Sequence, residues 1–455
     1  MLIDFSSEAG RFQLVQPFSS PHYGANTYTL IVGKNGTGKS RLLRSIVLSI
    51  FGHEMSEENI DRSDRAGLLD SVWHLDMRYR PEEVICVSTS PFDKFPLPRR
   101  SSTIPNYTYL GLRGLSSVNL STSYLSKIAN TLVDSVEHNR EQASAIAGVL
   151  DYLGYEPVIS MVWQLIPQRT IEDLFSSSDP NQTAFDSMRS GLPPYLNDAS
   201  SQYRRMVDTP PEILRIALEL AMRAPVGRRL RSFEMILGED GLRLSDPSPV
   251  GMEEALLLIG AGLVRLKEAV LWKKGKHEPF QIANASSGEQ AVVMSLLGIG
   301  SQIRNNSLIC IDEPEVCLHP EWQEKYIHLL YSTFSHFSGC HFVIATHSPQ
   351  IVAQLPDGDC HVMSMETGLA TEASKYSHRS IDFQLAELFG TPGYRNEYLG
   401  RLALNLFSSV SRQRGFDTDA REKLVLLERM AHLLQEGDPV LELILTLQEL
   451  RARYE

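Results

Sequence analysis

The 455-residue sequence is informative first for what it lacks. It has no run of about 18 apolar residues, so no membrane-spanning helix is expected. Its N-terminus, MLIDFSSEAG, lacks the charged-then-apolar pattern of a secretory signal. The cysteines are few and form no CxxC pair: Cys86, Cys310, Cys317, Cys340 and Cys360. An odd, unpaired set excludes a disulfide framework and suits reduced thiols in the cytoplasm. The histidines make no HExxH or HNH arrangement and no zinc spacing, which leaves no metal expectation beyond magnesium. No glutamine occurs between Gln16 and Gln142. Positive charge is also short. The net charge of −12 excludes a basic coat, though not a local basic groove.

What is present is an ordinary globular composition with room for two or three domains. The clearest signal is TYTLIVGKNGTGKSRLLRSIVLSIFG, Thr27 to Gly52. Tyr28 to Val32 is a short β-type run. Gly33, Lys34, Asn35, Gly36, Thr37, Gly38, Lys39 and Ser40 fit G-x-x-x-x-G-K-[ST]. Leu42, Leu43, Ile46, Val47 and Ile50 then recur at helical spacing. Strand, glycine loop and helix stand in the order a P-loop requires. Its backbone N–H groups curl around phosphate, Lys39 places charge near the β- and γ-phosphates, and Ser40 offers Mg²⁺ a hydroxyl. ATP and Mg²⁺ are the expected cofactors.

Two later strands add acid–base chemistry. Leu308 to Ile311 reads as a buried strand ending in Asp312 and Glu313. Asp312 is placed to hold Mg²⁺ and Glu313 to polarise the attacking water, with Glu315 as the next candidate base. Phe342 to Ala345 is a further apolar strand, followed by Thr346, His347 and Ser348. His347 there is able to hydrogen-bond a γ-phosphate. Between P-loop and acidic strand stands NASSGEQ, Asn284 to Gln290, directly before an apolar helix. Its hydroxyls and glycine suit a helix N-terminus, yet nothing nearby in sequence offers a ligand.

The order P-loop, SSGEQ, IDEPE, THS resembles the ABC-type ATPases, and Ser286 to Gln290 resembles their signature motif. The resemblance covers about residues 1–60 and 280–355. It implies an α/β fold: an ABC-type P-loop head with a helical insertion and a helical C-terminal extension. It also implies homodimers or larger homo-oligomers of heads packed head to tail, in which Ser287, Gly288 and Gln290 of one chain cap the γ-phosphate held by the other chain's P-loop. Catalysis would rest on Glu313 and His347. The string EPEVCLHP, Glu313 to Pro320, and Asn35 in GKNGTGKS resemble the SMC, RecF and OLD-like heads rather than transporter heads. CVSTSPFDKFPLP, YTYLGLRG and SIDFQLAELFGTPGYRNEYL are similar to the ATPase subunits of Septu and retron-associated anti-phage systems. That likeness implies a sensor subunit controlling a separately encoded HNH-type nuclease. A RecF-like clamp acting on DNA in repair is the alternative, and a transporter's soluble subunit is disfavoured by the long insertion. ABC heads carry a glutamine after the second core strand. Here SPFDKF takes its place, with Asp93 or Ser90 substituting, or with Phe92 and Phe95 packing the loop.

The expected organisation is an N-terminal ATPase lobe over 1–115, a mainly helical insertion over 116–280, a C-terminal ATPase lobe over 281–375 and a helical extension over 376–455. Within the insertion, Leu125 to Leu153, Pro211 to Arg223 and Met252 to Lys273 read as helices. CHVMSMETGLATEAS reads as a closing hairpin. PDGDC, with Asp357 and Asp359, reads as a turn rather than a Toprim DxD site. Basic clusters at Arg99 and Arg100, at Arg223, Arg228, Arg229 and Arg231, and at Lys273, Lys274 and Lys276 are either solvated surface or a phosphate track for nucleic acid. The leucines at 424, 427 and 434, then 443, 447 and 450, mark two helices that either fold back on the head or dock another chain.

Overall fold

The computed structural model of the chain describes residues 1–7, 10–16, 24–52, 73–97, 104–113, 115, 120–139, 141–189, 199–223, 232–275, 279–356 and 358–454. The apolar runs TYTLIV, VICVS, LICID and HFVIAT are adjacent strands of one seven-stranded sheet. Each is buried along its whole length, as strands covered on both faces must be. In space the strands run Ala370–Glu372, Cys360–Ser364, Thr27–Val32, His341–Thr346, Leu308–Asp312, Val84–Ser88, Tyr107–Gly111. All neighbours pair parallel except the closing hairpin, where Met363 faces Ala370 in antiparallel register.

Alternation along the strands sets up two cores. Ile31, Cys86, Cys310 and Val343 pack with Leu43 and Ile46 of the P-loop helix Lys39–Phe51. Leu30, Val87, Ile309 and Ile311 pack on the opposite face with Val292, Leu296 and Ile299 of the helix Ser287–Gln302. The strand before His347 lies between the P-loop strand and the strand ending in Asp312. Three neighbouring strands therefore end side by side, where parallel sheets place their ligands.

A small antiparallel sheet joins Gly10–Gln13, Leu2–Ser7 and His74–Met77. The insertion carries seven described helices, from Leu120–His138 to Met252–Gly260. It also holds a five-stranded antiparallel sheet that the pattern reading missed, made of Pro279–Gln281, Val264–Trp272, Ile159–Leu165, Ser232–Gly238 and Gly241–Leu244. Met252 to Lys273 is corrected from one helix to a helix ending at Gly260 and the strand Val264–Trp272. Gly262 is the cause. Its φ is 73°, and a Cβ there would lie 2.4 Å from the Gln202 carbonyl oxygen, so only glycine fits the left-handed turn. Beyond it VRLKEAVLW takes up strand alternation. Leu125 to Leu153 is likewise two helices, Leu120–His138 and Glu141–Tyr152. Asn139 starts the second by accepting the Glu141 N–H at 3.0 Å.

The C-terminal region holds three helices rather than two: Glu397–Gln413, Thr418–Ala431 and Pro439–Tyr454. Asn396 caps the first through the Leu399 N–H. Their apolar stripes meet one another. Leu399, Leu406, Leu424, Leu427, Ile444 and Leu447 form a separate core, each contributing about 1.5–3 kcal/mol on burial. The third helix gives the two expected ones a partner surface within the extension itself. Among the described residues, no helix is long and apolar enough to cross a membrane.

Candidate active site

The loop Gly33–Gly38 joins its strand to the helix through two left-handed glycines, Gly36 at φ 80° and Gly38 at φ 98°. Gly38 occupies the N-cap position of the helix, where a side chain would be strained. Lys39 is buried. Its Nζ donates to the Gly33 carbonyl at 2.8 Å and the Lys34 carbonyl at 3.2 Å. Burial pulls its pKa down, and the carboxylates of Glu313, Glu315 and Asp312 oppose that shift. A phosphate oxyanion would satisfy this ammonium better than neutral carbonyls do.

Ser40 Oγ donates to Asp312 Oδ1 at 3.0 Å. Asp312 is 1% exposed, and its carboxyl is pushed up to about 7, mainly by burial, with Glu313, Asp93 and Glu315 adding like charge. A hydroxyl beside a desolvated carboxylate is a hard-oxygen pair that suits Mg²⁺, which demands such ligands and would relieve the crowding of negative charge.

Glu313 sits at φ 50°, ψ 56°, a left-handed conformation rare for a side-chain residue and costing about 1 kcal/mol. Its backbone is held on both sides. The Glu313 N–H donates to the Ala345 carbonyl at 2.9 Å, and Thr89 Oγ1 donates to the Glu313 carbonyl at 3.4 Å. The turn brings Glu313 Oε1 within 3.1 Å of His347 Nε2. Glu315 lies beneath, accepting the His347 backbone N–H at 2.6 Å. Burial raises its pKa, and the His347 bond works against that. Two buried polar atoms, Glu315 Oε2 and His347 Nδ1, have no partner among the described residues. Such orphaned atoms are rare in native cores and mark a place where a polar ligand or water belongs. Ser348 Oγ completes the wall by donating to Gln323 Oε1 at 2.6 Å.

The structure thus brings together Lys39, Ser40, Asp312, Glu313 and His347. Glu315, Thr89 and Gln323 support them. Glu315 was expected only as the base next in line to Glu313, whereas Thr89 and Gln323 left no signal in the sequence.

Asp93 and Ser90 are occupied within their own loop. Asp93 is buried, accepting the Tyr109 hydroxyl at 2.6 Å and the Phe95 N–H at 3.1 Å, while Ser90 Oγ accepts the Phe92 N–H at 3.2 Å. Phe95 packs the loop, but Phe92 is 80% exposed.

The SSGEQ stretch starts the helix Ser287–Gln302. Ser286 caps it by accepting the Glu289 N–H at 3.2 Å. Gln290 turns back to the Ala283 and Ala285 carbonyls. Glu289 is tied to Lys273 at 3.3 Å and to the Tyr155 hydroxyl at 2.7 Å. Gly288 is buried, with its Cβ position 3.2 Å from the Cys317 carbonyl oxygen, so the helix start packs closely on the segment after Glu315. Ser287 is exposed and has no hydrogen-bond partner among the described residues. Lys274 pairs with Asp151 at 2.5 Å, so both described lysines of that basic cluster have carboxylate partners. Arg99, Arg100, Arg228, Arg229, Arg231, Lys276 and Asp357 lie outside the described residues.

Residues 90–353 match the family model described as "AAA domain, putative AbiEii toxin, Type IV TA system". The match begins beyond the P-loop and takes in SSGEQ, Asp312 to Glu315 and His347. No curated protein matches the sequence. Among solved structures, the SMC head domain from Thermotoga maritima is similar at 13% identity and TM-score 0.26, over 81% of this chain and 97% of that one. The ATP-binding cassette MJ1267 of an ABC transporter, in its ADP conformation, is similar at 12% identity and TM-score 0.26, over 85% of this chain and 96% of that one. Stu0660 of Streptococcus thermophilus is similar at 10% identity and TM-score 0.30, over 98% of this chain and 94% of that one.

Proposed function

The chain belongs to this AAA-domain family, and from that premise we infer that it hydrolyses ATP at sites shared between two heads and acts as the sensor subunit of an anti-phage complex. The observation that carries the reading is the convergence of Lys39, Ser40, Asp312, Glu313 and His347 at three adjacent strand ends. Lys39 and the P-loop amides hold the triphosphate. Ser40 and Asp312 hold Mg²⁺, which neutralises phosphate charge when bound. Glu313 accepts a proton from the attacking water and His347 orients the γ-phosphate end. The exposed Ser287 and the positive end of its helix are free to serve a second chain's nucleotide.

The defence role draws on the Septu and retron-type strings at Cys86 to Pro98 and Ser380 to Leu399. The family description, which names a toxin of a toxin–antitoxin system, favours that class over DNA maintenance. On this reading the ATPase licenses a separately encoded HNH-type nuclease, and the three-helix C-terminal unit is its docking element.

The separate core of that unit dictates how to test it. A cut at Asp417 would strip Leu399, Leu406 and Val410 of their partners, so the unit must be removed whole. Deleting residues 394–455 is expected to leave a chain that binds ATP but no longer co-purifies with the neighbouring nuclease. Co-purification at the wild-type level, with mass checked by light scattering, would rule out the docking role.

A further inference from the structure

A cleft of ≈ 710 Å³ lies between the head and the C-terminal unit. Its size falls within the range of small-ligand sites, about 300–1,000 Å³. It is not part of the P-loop helix side of the sheet. Met363 belongs to the core on that side, with Met365 packed against it, whereas their neighbours Val362, Ser364 and Glu366 line the cleft. One wall is the hairpin strand, another is the turn Gln384–Leu388, and the third is the helix Thr418–Ala431.

The lining divides by chemistry. Leu388, Leu426 and Met430 give an apolar floor, and Lys34, Lys375 and Arg429 give a cationic rim. None of these three cations makes an ion pair among the described residues. Two carboxylates also line the cleft, and one of them, Glu387, accepts the Tyr398 hydroxyl at 2.7 Å. Lys375 Nζ lies over the Tyr376 ring, 5.4 Å from its centroid, and cations without carboxylate partners beside an apolar floor match a ligand with phosphate at one end and a flat ring at the other. Lys34 belongs to the P-loop, and its Nζ lies 3.6 Å from the Cβ position of Gly390, just beyond the Gln384–Leu388 turn. An occupant would therefore bridge P-loop and C-terminal unit.

We propose that this cleft is a second site for a nucleoside phosphate, distinct from the P-loop site. The inference goes beyond the ATPase reading and stands apart from it.

The test uses calorimetric titration of the full chain with ATP, GTP, CTP, UTP and inorganic tripolyphosphate. Lys39→Ala weakens the P-loop site by about 100-fold or more and leaves the cleft. That variant is expected to keep binding at least one of the nucleotides. Adding Lys375→Glu and Arg429→Glu should weaken the remaining binding by at least about tenfold for each reversed charge. Lys375→Glu/Arg429→Glu alone should keep the P-loop nucleotide and the wild-type melting temperature, which controls for misfolding. If Lys39→Ala binds no nucleotide, or if its binding survives both charge reversals, the cleft is not a site and the P-loop reading stands. If tripolyphosphate binds the Lys39→Ala chain as tightly as the nucleotides do, the floor reads no ring and the nucleotide assignment is overturned. If the charge reversals alone abolish all nucleotide binding in a folded chain, the cleft is the nucleotide site and the P-loop reading fails.

Discussion

Glu313→Gln is expected to slow ATP hydrolysis by about 10²–10⁴-fold, the range for removing a positioned general base, while ATP stays bound. The substitution keeps shape and hydrogen-bonding capacity, so the left-handed backbone at Glu313 and its bond to the Ala345 carbonyl persist. What disappears is the carboxylate that stands 3.1 Å from His347 Nε2. With binding intact and turnover blocked, head pairs should accumulate with nucleotide trapped between them. Light scattering with ATP and Mg²⁺ should then report a larger dimer fraction than in the wild type. Wild-type turnover in this variant would move the base to Glu315, whose Oε2 is buried without a partner.

Lys39→Ala is expected to weaken Mg²⁺-dependent ATP binding at the P-loop by about 100-fold or more and to abolish hydrolysis, because phosphoryl transfer depends on charge placed at the β- and γ-phosphates. The buried ammonium already sits in the loop, held on the Gly33 and Lys34 carbonyls. Burial lowers its pKa, and the carboxylates of Glu313, Glu315 and Asp312 work against that shift. Alanine removes the charge and leaves Gly36 and Gly38, which set the loop's course, untouched. The fold should therefore survive, as circular dichroism would verify. A hydrolysis rate within tenfold of wild type would contradict the assignment of Lys39.

The central sheet was legible because its strands are buried on both faces and read as unbroken apolar runs such as LICID and HFVIAT. The site residues were legible where chemistry fixes spacing, as in GKNGTGKS and IDEPE. The insertion's sheet was not. VRLKEAVLW follows an apolar helix with no proline between, and only the left-handed Gly262, pressed against the Gln202 carbonyl, separates them. That contact is tertiary and leaves no local pattern. The helix Glu397–Gln413 was not singled out, although Leu399, Ala403, Leu406 and Val410 recur there at helical spacing. Its stability comes from burying Leu399 and Leu406 against two later helices. The role of Asp93 was undecidable from sequence, since Tyr109 and Phe95 claim its two oxygens only in the folded loop.

The central claim is that SSGEQ of one chain completes the ATP site of another. Ser287 is exposed and unpartnered in its own chain, so Ser287→Arg should spare ATP binding by single chains and abolish hydrolysis. The decisive measurement is ATP hydrolysis by mixtures of Ser287→Arg and Lys39→Ala chains, with heterodimers verified by differential tags. Each variant alone is inactive, but a mixed pair holds one site with an intact P-loop from one chain and an intact signature from the other. The account predicts that activity returns in the mixture, approaching half that of wild-type pairs per heterodimer if the sites work independently. No activity above the separate variants in verified heterodimers would contradict it.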